Sequence, residues 1–249
     1  MSKRILVIGG TSQIGQALVK RLTDRGDKVV FNGRNQDVGA SLGKETGASF
    51  FQCDYENTGA AEHIVGQSVS ILNGLDGLVL AGGALHVARA SETTDEAWDS
   101  VLRANLFGPF LIARAAMWEL SKDSGGAIVT VASGVAQRAE VELAAYSVAK
   151  RAVHWMTSML AIEGAPKGVA AYTVNPGDLS GGMQTVINQP QARDLGAPFI
   201  PPAGRLTEAE DVALSIQFLL DSGPALTGAT LTIDGGLRSA LRASKVHQP

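Results

Sequence analysis

Tyr146 and Lys150 stand four residues apart in Tyr146-Ser147-Val148-Ala149-Lys150, and Ser133 precedes the tyrosine by thirteen. The apolar pattern of 144–163 predicts a helix, and a spacing of four then puts phenol and ammonium on one face. A free phenol has a pKa of about 10 and is a poor base near neutrality. A neighbouring ammonium favours the phenolate and makes proton exchange with a substrate oxygen feasible. Ser133 can donate a hydrogen bond to that same oxygen as charge develops on it. Tyr146 is therefore expected as general acid/base, with Ser133 beside it on the substrate. A Tyr and a Lys four apart also occur by chance on solvated helices, so the pair gains its meaning from the rest of the chain.

A second group lies near the start. Gly9-Gly10-Thr11-Ser12-Gln13-Ile14-Gly15 follows an apolar run and opens a helical pattern. A strand–glycine turn–helix unit aims backbone N–H groups and the helix dipole at a pyrophosphate, and glycine is needed where a side chain would block the approach. Gly9, Thr11, Ser12, Gln13, Ile14 and Gly15 are the candidates; the alternative is a tight turn with no ligand. The next run ends Asn32-Gly33-Arg34-Asn35, with no acidic residue to grip a free ribose 2′-hydroxyl. Arg34, with Asn35 beside it, can instead pair with a 2′-phosphate, which favours NADP(H); otherwise it is a solvated loop arginine. Asp54, followed by Tyr55, can accept from an adenine amino group or cap the next helix.

Short apolar runs at 5–8, 28–32, 49–53, 77–81, 127–132, 169–174 and 230–234 read as strands, and amphipathic segments lie between them. Ile14, Leu18 and Leu22 form one helical face, closed by Gly26. Trp98, Val101, Leu102, Asn105 and Leu106 form another, and 208–220 a third. Strands separated by helices along the whole length predict an α/β fold: a Rossmann-like doubly wound parallel sheet in a single domain. Ligands of such sheets sit beyond the C-terminal ends of the strands, where the residues named above fall.

The chain of 249 residues suffices for one large core without staples. Its one cysteine, Cys53, permits no internal disulfide and suits a reducing compartment. A net charge of −3 without a basic run offers no footprint for nucleic acid, and no metal-ligand spacing is present. The opening apolar run stops at two glycines and no run is long enough to span a bilayer, so a cytoplasmic protein is expected.

Together these motifs resemble the short-chain dehydrogenase/reductase family in its members of about 250 residues, from Ile5 to Leu237. The resemblance implies an Asn-Ser-Tyr-Lys tetrad of Asn105, Ser133, Tyr146 and Lys150, with Asn105 bending its helix and holding a proton-relay water. It implies hydride transfer between a nicotinamide cofactor and a carbonyl or alcohol, with Lys150 and Tyr146 also touching the cofactor. Asn175-Pro176-Gly177-Asp178-Leu179 is similar to the loop that covers the nicotinamide, giving Pro176, Gly177 and Leu179 as contacts. Ala81, Gly82 and Gly83 fall beside the adenosine.

The resemblance implies a homotetramer, or a dimer, paired through helices around 98–117 and 144–163. Residues 178–205 are expected to cover the substrate, with Met183, Val186 and Ile187 as an apolar lid, and 238–249 to form a tail. Three places depart from the family pattern. Ile8 and Gln13 stand in the glycine motif, where Gln13 should crowd the pyrophosphate. Val79-Leu80 replaces two asparagines and should weaken contacts in the central sheet. Leu179-Ser180-Gly181-Gly182 follows the Pro-Gly pair.

The expected substrate is a small cyclic, aromatic or sugar-like ketone. The alternatives are a 3-oxoacyl thioester of acyl carrier protein or coenzyme A, with Arg138 and Lys167 as a basic rim, and a catalytically inactive nucleotide-binding regulator.

Overall fold

Each apolar run becomes a strand: β1 (Arg4–Ile8), β2 (Lys28–Gly33), β3 (Ser49–Gln52), β4 (Gly77–Leu80), β5 (Gly126–Val131), β6 (Val169–Pro176) and β7 (Thr230–Ile233). The structure, a computed structural model, describes residues 2–56, 59–122, 125–181 and 201–239. Met183, Val186, Ile187, the middle of the expected covering segment and nearly all of the tail lie outside the described residues. The strands form one seven-stranded sheet in the order β3-β2-β1-β4-β5-β6-β7, all parallel. Between them run α1 (Gln13–Asp24), α2 (Gln36–Thr46), α3 (Ala60–Leu72), α4 (Asp95–Leu102), α5 (Gly108–Leu120), α6 (Ala144–Gly164) and α7 (Ala209–Asp221). The expected doubly wound architecture is the one observed.

The strands are apolar at successive positions because both faces of the sheet are covered. Along β1, Ile5 and Val7 pack with Leu18 and Leu22 of α1 and Ile216 of α7, whereas Leu6 and Ile8 pack with Ile64 of α3 and Ile112 of α5. Val79 and Leu80 follow the same rule, one buried on each face, and β4 keeps its ladders to β1 and β5. The expected weakening of the central sheet is therefore offset by apolar packing. Gly26 takes the left-handed backbone that closes α1, with φ of 90°. Among the described residues no helix is long and apolar enough to cross a membrane.

Strand order reverses direction between β1 and β4, which opens a crevice at their C-terminal ends.

Candidate active site

The helix leading to the site is interrupted at Asn105. The side-chain amide of Asn105 donates to Val101 O at 2.8 Å, the carbonyl its own N–H would use in a regular helix, and to Ala84 O at 2.7 Å. The backbone answers with a π turn over Arg103–Phe107, reinforced by Pro109, which has no N–H to offer the carbonyl four residues before it. This is the bend the resemblance implied. Asn105 Oδ1 is left buried without a partner. A Cβ on Gly83 would lie 2.5 Å from that oxygen and 3.4 Å from Lys150 Nζ, so both groups converge on Gly83.

Loops after β1, β4, β5 and β6 meet around a cleft of about 300 Å³. Ser12, Gln13 and Ile14 reach it from the first loop, Ala81, Gly82 and Gly83 from the second, Ser133 from the third, and Pro176, Gly177 and Leu179 from the fourth. Tyr146 and Lys150 enter from α6, on one face as their spacing predicted. The sheet thus gathers most of the candidates into one place.

Glycine is required in the first loop by packing. Gly9 has φ of 77°, and a Cβ there would lie 2.6 Å from Gly82 Cα. A Cβ on Gly15 would lie 2.2 Å from Gly9 O. Ser12 caps α1, its hydroxyl accepting from Gly15 N (3.1 Å) and donating to Gly9 O (2.8 Å). The helix start therefore presents backbone N–H groups to the cleft, and the chain fits a dinucleotide pyrophosphate there. Thr11 lies beneath, against Gly33. Asn32, absent from the sequence-based candidates, is fully buried and binds the turn: its Oδ1 accepts from Gly9 N and its amide donates to Cys53 O. Gln13, expected to crowd a pyrophosphate, is directed elsewhere in the single chain. Its Nε2 lies 2.7 Å from where a Cβ of Gly181 would be, so the side chain reaches toward the loop after β6.

Four candidates sit farther out, past β2 and β3. Arg34 is exposed, with its guanidinium 3.6 Å from Glu56. Asn35 caps α2 by accepting from Val38 N at 3.1 Å. Asp54 accepts from Glu56 N at 3.1 Å, closing its own turn, whereas α3 begins later at Ala60. Tyr55 is buried, donates to Ala104 O at 3.0 Å and backs Gly82 and Gly108. Its side chain forms the wall behind the cleft rather than the lining, a correction that follows from its burial.

Tyr146 is buried in a small cluster with Val101, Ala145 and Ala149, and Trp98 and Leu85 pack against it. Its side chain lines the cleft together with Ser133, whose hydroxyl favours the phenolate. Lys150 Nζ donates to Val131 O at 2.9 Å and stands 5.6 Å from the tyrosine ring centroid. The expectation that Lys150 acidifies the phenol needs correcting. Burial pushes Tyr146 up to about 12, opposed by the nearby Ser133 side chain, and burial pushes Lys150 down to about 8. Desolvation penalises both charged forms, and the ammonium lies over the ring with its hydrogen bond spent on a carbonyl. Tyr146 is thus held as a proton donor, and Lys150 is the more acidic of the two.

Several residues at the site carried no sequence signal. Leu85, Val135 and Leu143 line the cleft with Glu140, all from loops without periodicity. His154, one turn beyond Lys150, is hydrogen-bonded at 2.7 Å to the buried Asn175 that precedes Pro176. The basic rim proposed for a thioester also needs correcting. Lys167 lies in the turn before β6, at the N-terminal edge of the sheet, while the cleft lies at the other end of that eight-residue strand, roughly 25 Å away.

Residues 3–192 match the family described as short chain dehydrogenase. The chain is 29% identical over 239 residues to carbonyl reductase family member 4 of Xenopus tropicalis, covering 96% of this chain and 99% of the relative. It is 31% identical to an acetoacetyl-CoA reductase of Rhizobium meliloti, covering 95% and 98%. Among solved structures, one described as ElxO with NADP bound superimposes with a TM-score of 0.87 at 25% identity, covering 96% of this chain and all of that one.

Proposed function

Because the chain belongs to the short-chain dehydrogenase/reductase family of oxidoreductases, we propose that it interconverts a ketone or aldehyde and an alcohol with NADP(H). The observation that carries this reading is the buried Tyr146, which lines one cleft with Ser133, Lys150 and the glycine turn. A nicotinamide dinucleotide, when bound, supplies or accepts the hydride. Gly9, Thr11, Ser12, Gln13, Ile14 and Gly15 hold its pyrophosphate, Asp54 with Ala81, Gly82 and Gly83 its adenosine side, and Pro176, Gly177 and Leu179 its nicotinamide. Tyr146 gives its proton to the nascent alkoxide and Ser133 donates a hydrogen bond to the same oxygen. Lys150 returns a proton toward Tyr146, and the unpartnered Asn105 Oδ1 beside it suits a bridging water.

Arg34 selects NADP(H): its guanidinium is exposed at the end of β2, a strand that ends without an acidic residue to bind a ribose hydroxyl. The relative solved with NADP bound supports this choice. The experiment is to mix the protein with NADPH or NADH and a panel of ketones and aldehydes while following nicotinamide absorbance. Consumption of NADPH is expected, and Arg34→Ala should weaken NADPH about 30-fold, from the loss of a charge-assisted contact of about 2 kcal/mol. NADH should change by no more than about 3-fold on the same basis. Equal losses for both would remove the 2′-phosphate contact. Absence of consumption across the panel would favour a nucleotide-binding regulator, against which the intact Ser133–Tyr146–Lys150 arrangement speaks.

We take the substrate to be a small free ketone. The acetoacetyl-CoA reductase relative supports a thioester instead, but only Arg138 of the nominated basic rim is near the cleft. We further infer a homotetramer or dimer paired through α5 and α6, whose Trp118, Trp155, Met159 and Ile162 face solvent in the single chain. Light scattering at micromolar concentration should give two or four chains; a monomer would end this assignment. The cytoplasm is the location that suits the single cysteine.

A further inference from the structure

We propose that Glu140 and Asp178 are the specificity determinants of the cleft: they receive a hydrogen-bond-donating edge of the substrate, hydroxyl or ammonium, and exclude a carboxylate or phosphate. This rests on the carbonyl-reducing reading above and names the substrate class for it. Glu140 comes from the loop after β5 and Asp178 from the loop after β6, and both line the cleft with Ser133 and Tyr146. Both also line a smaller recess of about 100 Å³ that continues past Ser133, so they stand where the two spaces join. A substrate whose carbonyl oxygen meets Ser133 and Tyr146 therefore passes these two carboxylates.

Their electrostatics point the same way. Loss of solvent raises the Glu140 carboxyl above its ordinary value, Asp178 raises it further, and Arg138 opposes both. Asp178 is raised by burial and eased by Arg138. Among the described residues, no ion pair or side-chain hydrogen bond joins either carboxylate to a partner; Arg138 acts only through space. Ionised carboxylates only accept hydrogen bonds. A hydroxyl or an ammonium supplies the missing donors, whereas an anionic group adds a further negative charge beside two carboxylates that face Arg138. Leu85, Val135 and Leu143 complete the wall, so the other edge of the substrate is apolar.

The test uses cyclohexanone, 4-hydroxycyclohexanone, 4-aminocyclohexanone and 4-oxocyclohexanecarboxylate, which share one ring, with NADPH. At least one donor-bearing ketone should exceed cyclohexanone in kcat/KM by about 10-fold, and the carboxylate should fall about 10-fold below it, the scale of one charge-assisted hydrogen bond. The Glu140→Gln/Asp178→Asn double variant should erase this ranking and recover the carboxylate. A preference for ammonium over hydroxyl assigns recognition to charge, and the reverse assigns it to a neutral donor. Equal kcat/KM for all four, or an unchanged ranking in the double variant, overturns the inference. Shifts in thermal midpoint with the same compounds rank their binding independently of turnover. No reduction of any ketone with a preserved binding rank defeats the carbonyl-reducing reading alone, and a flat binding rank defeats this one.

Discussion

Tyr146→Phe is expected to lower kcat about 1000-fold, within the range for loss of a general acid, while NADPH binding changes by less than about 2-fold. The ring remains in its pocket among Val101, Ala145 and Ala149, so the cleft keeps its shape. Only the hydroxyl is removed, and with it the proton the alkoxide needs. Ser133 cannot replace it, because an aliphatic hydroxyl is a far weaker acid than a phenol. Single-turnover absorbance at saturating NADPH measures the chemical step, and fluorescence titration measures binding. Undiminished turnover would refute the role given to Tyr146. Since burial holds the phenol at about 12, it stays protonated across the working range, and carbonyl reduction should show no alkaline limb from this group. Alcohol oxidation needs the phenolate, so its kcat/KM should rise with pH over the same range.

Lys150→Met should separate activity from stability in opposite directions. The lysine is buried with its pKa lowered to about 8, so the folded chain is protonated there below that value and loses the proton above it. In the unfolded chain the group titrates near 10.5. Between those values the unfolded state binds more protons, and stability rises with pH; below about 8 the burial penalty is present in full, about 3 kcal/mol from the size of the shift. Methionine has no charge to desolvate, and the lost bond to Val131 O costs about 1–2 kcal/mol. The variant should therefore melt a few degrees higher at pH 7, and the gain should vanish by pH 10.5. Its reductase kcat should fall about 100-fold or more as the proton supply to Tyr146 is broken. In the native protein, kcat/KM for reduction should decline above pH 8 as Lys150 loses its proton. A lower melting point for Lys150→Met at pH 7, or a native profile flat through pH 8, would contradict this account.

The strands, the glycine turn and the Tyr146–Lys150 face were legible because each belongs to one contiguous segment. Ile5–Ile8 is apolar at every position, which says that both faces are covered. Four residues on a helix return to the same side whatever surrounds them. Asn105 was legible only through family resemblance; its capture of Val101 O and Ala84 O, which makes the π turn, depends on a loop twenty-one residues away.

Local pattern could not show which loops face one another. Lys167 and Arg138 looked equivalent as basic candidates, yet Lys167 precedes β6 at one edge of the sheet and Arg138 follows β5 at the other. Glu140 and Asp178 look unrelated along the chain and share one wall. The direction of the Tyr146 and Lys150 shifts was also beyond sequence, since spacing supplies their attraction but not their loss of water. The order of elements and the residues able to react are written in the chain, because backbone periodicity and side-chain chemistry are local properties. Their neighbours and their protonation are set by the folded sheet, because desolvation and Coulomb energy depend on atoms that distant segments bring within a few ångströms.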